Sequence, residues 1–142
     1  MVSRDNHGAQ QLVADLATLA GSHAELPVIA FPDWETLPYD QFSPHPEIVS
    51  QRLAALHRLP ALKRGIVVVP VQTLLQRLAP VAHIAGSSFN LSVGQQLDMD
   101  AEKRRLEAAG YRHVPQVMDP GDFAVRGGLL DVFPMGTEAP LR

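Results

Sequence analysis

The stretch Lys63-Arg64-Gly65-Ile66-Val67-Val68-Val69-Pro70-Val71 decides the fold. Ile66 to Val69 are four β-branched residues in a row, apolar on both faces of a strand. A strand buried inside a parallel sheet needs that, because helices cover such a sheet on both sides. Lys63-Arg64-Gly65 turns the chain into it. Upstream, a helix starts near Pro46, with proline in its first turn and Glu47 complementing the helix dipole. It sets Val49, Leu53, Leu56 and Leu59 on one stripe and stops at Pro60. Further back, Pro27-Val28-Ile29-Ala30-Phe31 reads as a second short strand. Leu12, Leu16 and Leu19, with Val13 beside them, predict a helix over 9–20 closed by Gly21. Beyond the central strand a third, shorter helix carries Leu74, Leu75 and Leu78 and ends before Pro80. Helix, strand, helix, strand, helix is the order of an α/β sheet with crossover helices.

The texture changes near residue 81. Ser88 to Val93 reads as a strand entering a turn at Gly94. Asp98 to Ala109 reads as a charged helix closed by Gly110, acidic at its start and basic further on, as the macrodipole favours. Strands then follow over Tyr111 to Met118, Phe123 to Arg126 and Leu129 to Phe133, with a turn at Pro120-Gly121. The expected fold class is α/β: an incomplete parallel-sheet lobe over 1–80, then a small, truncated α+β domain over 81–142. Both units look unfinished, and a fragment of something larger is expected.

Composition narrows the function. The chain has 142 residues, 46% of them hydrophobic and 19% charged, which suits a packed globular protein. The longest apolar run, Ile66 to Val71, is far short of the roughly 20 residues of a membrane helix, and no secretory h-region follows Arg4. With no cysteine there is no disulfide framework, thiolate zinc site or cysteine nucleophile, in keeping with a cytoplasmic protein that does not touch a membrane. Net charge is −3. One base stands against seven acids over residues 1–50, eight against three over 51–105, and three against five over 106–142. That is no dense basic stripe of the kind nucleic acid requires. The Gly-x-x-x-x-Gly-Lys-Ser/Thr and Gly-x-Gly-x-x-Gly patterns are missing, and Val125-Arg126-Gly127-Gly128 feeds a strand, so it aims no helix N-terminus at phosphate. The six histidines are scattered without metal-ligand spacing, and no serine lies in a nucleophile elbow. Of the carboxylate pairs, Asp33/Glu35 and Asp98/Asp100, the second is accounted for by helix capping. No cofactor, metal or catalytic residue is expected.

Two stretches stand out. Phe31-Pro32-Asp33-Trp34-Glu35-Thr36-Leu37-Pro38-Tyr39-Asp40 holds the only tryptophan and one of two tyrosines. It reads as an aromatic lid over the sheet edge, or as an interaction surface. In Phe123 to Pro134, Arg126 is followed by two glycines, which expose backbone and leave a planar five-donor guanidinium approachable. Arg126 with a nearby phenylalanine could anchor a protein partner. Equally, Arg126 could be paired internally with Asp122 or Asp131.

Asp-Trp-Glu-Thr-Leu-Pro-Tyr-Asp (33–40), Ser-Gln-Arg-Leu (50–53), Arg-Gly-Ile-Val-Val-Val-Pro-Val (64–71), Gly-Tyr-Arg-His-Val (110–114) and Arg-Gly-Gly-Leu-Leu-Asp-Val-Phe-Pro-Met-Gly (126–136) together resemble the N-terminal region of bacterial transcription-repair coupling factors. The resemblance runs from about residue 30 to 142. It implies a degenerate helicase-like lobe similar to the repair protein UvrB, with a small inserted domain that docks UvrA in transcription-coupled nucleotide excision repair. The whole proteins of this family are ATP-driven DNA translocases that also engage RNA polymerase and double-stranded DNA, and this part of them is not catalytic. The family's docking arginines map to Arg112 and Arg126, with Phe133 as a third contributor or as core. The resemblance also implies departures. The chain is expected to start beyond the lobe's first strand and phosphate-loop position. The 32–46 loop leaves no room for the DNA-clamping hairpin. Ala124 stands where UvrB-like sequences carry a further arginine. The alternatives are a nucleotide- or DNA-binding lobe of a helicase-like enzyme and a structural, autoinhibitory module.

Overall fold

The computed structural model describes residues 1–20, 26–37, 39–86 and 92–142. It is a mixed α/β structure with one parallel and one mixed three-stranded sheet. The first sheet holds β1 (Val2–Ser3), β2 (Val28–Ala30) and β3 (Ile66–Pro70), all parallel, in the order β1-β3-β2. The β-branched run is thus central, as its composition requires. Helix α1 (Asn6–Ala20) packs on this sheet, and α2 (Pro46–Arg58) approaches β2 and continues into a 3-10 turn over Leu59–Ala61. The core here is Ile29, Phe31, Ala55 and Val69, flanked by Leu56, Leu62 and Val67.

Strand β1 corrects one expectation. A first strand does precede α1, held by Val69 N–H donating to Met1 O at 3.1 Å. At the turn from β1 into α1, Asp5 Oδ1 accepts the Gly8 N–H at 2.7 Å, so a carboxylate takes one of the donors that would otherwise face an anion.

The third helix is also shorter than its leucines suggest. Helix α3 spans Val71–Leu74, and Leu75 N and Gln76 N then donate to Gln72 O and Thr73 O, tightening the chain into a turn. Leu74, Leu75 and Leu78 are exposed. Thr73 and Gln76 have side chains committed to Asp33, which outweighs continuing the apolar stripe. A short helix, α4 (Val81–Gly86), was not expected and leans on α2.

The stripe on α2 is occupied in an unexpected way. Its fully buried residues are Ser50, Arg52 and Ala55, while Leu53, Leu56 and Leu59 are half-buried. Arg52 is only 2% exposed. Its guanidinium lies 4.4 Å from the Phe31 ring centre and 4.0 Å from that of Trp34. It donates to Pro32 O at 2.5 Å and to Gln76 Oε1 at 3.1 Å. Asp33 accepts from Thr73 Oγ1 (3.0 Å), Gln76 Nε2 (2.7 Å) and Gln72 Nε2 (3.2 Å). Burial alone would raise the Asp33 carboxyl, but these hydrogen bonds and one from the Glu35 backbone hold it below its usual value. Burial pulls the Arg52 guanidinium down, and the nearby Asp33 charge opposes that. The first half of the aromatic loop is therefore fastened to α2. Leu37, Tyr39 and Phe42 in the second half are exposed.

The second sheet holds β4 (Arg112–His113), β5 (Asp122–Arg126) and β6 (Leu129–Val132), in that order. β4 is parallel to β5, and β6 is antiparallel. Helix α5 (Met99–Ala108) is capped by Asp98, whose Oδ1 accepts from Asp100 N and Ala101 N, both at 3.0 Å. Leu106 from α5 packs with Phe123 and Val132, flanked by Tyr111, Val125 and Leu130. The strand predicted over Tyr111 to Met118 pairs only at Arg112–His113, since Pro115 supplies no N–H to extend the ladder. Residues 87–91, most of the strand predicted from Ser88, lie outside the described residues, and Val93-Gly94 forms a turn.

Gly136, in the loop after β6, touches α2. Gly136, at φ +92°, donates its N–H to Ser50 Oγ at 2.7 Å, and a Cβ there would lie 3.2 Å from Ala54 Cβ. Gly136→Ala combines a left-handed backbone with that crowding. Thermal melts should show a loss of about 1–3 kcal/mol; an unchanged melt would mean the contact carries no weight.

Candidate docking face

Strand alternation sorts the second sheet into two faces. Phe123, Val125, Leu130 and Val132 belong to the face that packs with α5. Asp122, Ala124, Arg126, Leu129 and Asp131 therefore belong to the other. The register sets Arg112 beside Asp122, Asp131 opposite Ala124, and Leu129 opposite Arg126. Phe133 N donates to Asp122 O at 2.9 Å, which places Phe133 in the row of Arg112 and Asp122. Phe133 is half-buried and is not part of either buried cluster. The three residues singled out from the sequence thus share one face. Arg112 and Arg126 are separated by four residues of β5, about 13 Å along the strand.

Both arginines are paired and both are open to solvent. Arg112 Nη2 lies 2.8 Å from Asp122 Oδ1 and 3.5 Å from Asp119 Oδ2, and its side chain is 59% exposed. The buried Asp122 Oδ1 takes no hydrogen bond among the described residues, so the approach of Arg112 is a charge contact. Asp122 Oδ2 accepts from Met118 N (3.4 Å) and Asp119 N (3.0 Å), which fixes the turn into β5. Arg126 donates through Nη2 to Asp131 Oδ2, and its side chain is 56% exposed. Of the readings left open by the sequence, the structure shows the internal pair, with Asp131 as the partner, while the side chain stays more than half exposed. The turn behind it is tight. Arg126 pairs with Leu129 across Gly127-Gly128, and Gly127 takes φ +61°, which a side chain there would resist. A groove of about 320 Å³ bounded by His113, Val114, Pro115, Ala124, Val125 and Arg126 runs beside it.

Sequence reasoning missed Arg142. It donates from Nε to Asp131 Oδ1 at 2.6 Å and from Nη2 to Asp131 Oδ2 at 3.2 Å. Leu141 supports it by pairing with Val132 through two main-chain hydrogen bonds of 2.7 and 2.9 Å. The available signal was a tally: Arg112, Arg126 and Arg142 are the only bases after residue 105, and all three fall on this face. Hydrogen bonds from Arg142 first, and then from Arg126, hold the Asp131 carboxyl down at about 2 against an ordinary 3.8. A depressed pKa means that the pairs stabilise the fold fully above pH 3.8, and that this support is lost as pH falls through about 2. Titrating stability from pH 5 downward should show the loss, and Asp131→Asn should remove that part of the pH dependence. An identical profile in the variant would remove Asp131 from the acid response.

Among the described residues, no helix is long and apolar enough to cross a membrane, and no group of three His, Asp or Glu is placed to hold a metal.

Comparison with known proteins places the chain in a family. A family model described as the UvrB interaction domain matches residues 89–142. The transcription-repair-coupling factor of Escherichia coli K12 is 52% identical over 115 residues, 81% of this chain and 10% of that protein. That of Haemophilus influenzae is 46% identical over 142 residues, 100% of this chain and 12% of that protein. That of Bacillus subtilis is 30% identical over 142 residues, again 100% of this chain and 12% of that protein. The chain therefore spans about a tenth of the length of these relatives. It belongs to the transcription-repair-coupling factor family, and its residues 89–142 match the UvrB interaction domain model.

Proposed function

We propose that this chain is a protein-docking region that recruits UvrA to transcription-coupled nucleotide excision repair, and that it turns over no substrate itself. The observation that carries the reading is a coincidence of place. The segment matching the UvrB interaction domain is the one whose sheet gathers Arg112, Arg126 and Phe133 on a single face. Guanidinium groups donate charge-assisted hydrogen bonds to carboxylates or carbonyls, and a neighbouring aromatic ring adds buried area, the usual make-up of an interface anchor. Residues 1–80 act on this reading as a degenerate helicase-like lobe, and 81–142 as the docking domain. Asp5 at the β1–α1 turn argues against a phosphate cradle there. In the whole protein, RNA polymerase and double-stranded DNA would be further partners, and the setting would be the cytoplasm.

The test is a calorimetric titration of purified UvrA into this chain at two salt concentrations. Saturable binding with a shallow salt dependence is expected, because few charges are involved. A lobe that bound DNA would instead lose affinity steeply with salt. Absence of UvrA binding would overturn the reading.

A further inference from the structure

We propose that Arg142 is a further docking residue: with Arg126 it forms a two-guanidinium fork, held by Asp131, that receives a pair of carboxylate side chains on a protein partner. This rests on the docking reading above and names the chemistry that the face recognises. Asp131 is buried, its side chain only 11% exposed, whereas the arginines clamped to it are 56% and 64% exposed. The carboxylate is thus withdrawn beneath the two cations. What a partner meets is positive charge.

The donor count agrees. A guanidinium carries five N–H donors. Arg126 spends Nη2 on Asp131, and Arg142 spends Nε and Nη2. Among the described residues, Nη1 of both groups makes no hydrogen bond. Two cations sharing one anion keep a net charge of one proton. Each is ordered before a partner arrives, so less rotamer freedom is lost on binding. The bridge between Leu141 and Val132 fixes the main chain that delivers Arg142.

The same face argues for a protein rather than a polyanion. Some 13 Å along β5, Arg112 sits with two carboxylates, Asp119 and Asp122, an excess of negative charge. A continuous phosphate backbone laid across the face would meet that repulsion. An acidic pair confined to the Arg126–Arg142 end would not.

The experiment is calorimetric titration of UvrA against the full chain and three variants: Arg142→Ala, Arg142→Lys and Asp131→Asn. Arg142→Ala should weaken binding about tenfold, with the fold kept because Asp131 still pairs with Arg126. Arg142→Lys should recover only part of the loss, since a lysine cannot share Asp131 side-on. Asp131→Asn makes the face more positive, yet it should weaken binding because the fork is no longer held. If Asp131→Asn does not fold, Arg142→Ala decides alone. Binding indifferent to Arg142→Ala, or strengthened by Asp131→Asn, overturns the fork and leaves the docking reading standing. No binding by the parent chain overturns both.

Discussion

Replacing Arg52 with alanine should cost about 3–5 kcal/mol of folding stability, the range typical of breaking a buried charged network. Three losses combine. The side chain is 2% exposed, so its removal leaves a cavity beneath Trp34. Pro32 O and Gln76 Oε1 lose their donor. The charge attraction between Asp33 and Arg52 is lost as well. Against the 5–15 kcal/mol by which domains are usually stable, that is a large fraction. Arg52→Met keeps most of the volume and should recover part of the loss, because refilling a buried site costs less than emptying it. Trp34 is the only tryptophan, so its fluorescence reports the site directly. In Arg52→Ala the emission should shift to the red as the ring becomes wet, and the melting temperature should drop together with it. An unchanged melt with unshifted Trp34 emission would mean that the guanidinium does not fasten the loop to α2.

The elements legible in the sequence were those with a strong local signal. Ile66 to Val69 declares a central parallel strand, and it is one. The Arg126-Gly127-Gly128-Leu129 hairpin and the Asp98-capped helix are likewise set by local chemistry, and each lies where it was expected. Elements governed by distant partners were not legible. Leu74, Leu75 and Leu78 have a helical spacing, but Thr73 and Gln76 answer to Asp33, some forty residues away in sequence, and the helix stops at Leu74. Val2–Ser3 is too short to announce itself as a strand, and pairing with β3 alone makes it one. Arg52 looks like a solvated residue on a stripe of leucines until Phe31 and Trp34 close over it. At the candidate docking face, Arg126 stood out by the two glycines that follow it as well as by resemblance, whereas Arg112 was found through resemblance alone. Arg142 escaped because its partner Asp131 is reached only once β6 and Leu141 pair. Sheet register, which no local pattern contains, decided that part of the site.

Arg126→Ala should weaken UvrA binding by about 2 kcal/mol, roughly thirtyfold, while moving the melting temperature little. The two expectations separate because of how Asp131 is held. Deleting Arg126 does not strand the Asp131 carboxylate, which keeps both hydrogen bonds from Arg142, so the usual penalty for an orphaned buried charge is avoided. The Arg126 side chain is more than half exposed, so little packing is lost with it. Its contribution on this account lies almost wholly in what it offers a partner. Arg104 on α5 provides the control. It is exposed, carries the same charge, and belongs to the helix that packs on the opposite face of the sheet, so Arg104→Ala should leave the affinity unchanged. Equal losses in Arg126→Ala and Arg104→Ala would mean that UvrA responds to net charge and not to this face. No loss in Arg126→Ala would remove the residue from the interface. A loss confined to Arg126→Ala, with a melt matching the parent chain, is what a guanidinium presented from the end of a hairpin requires.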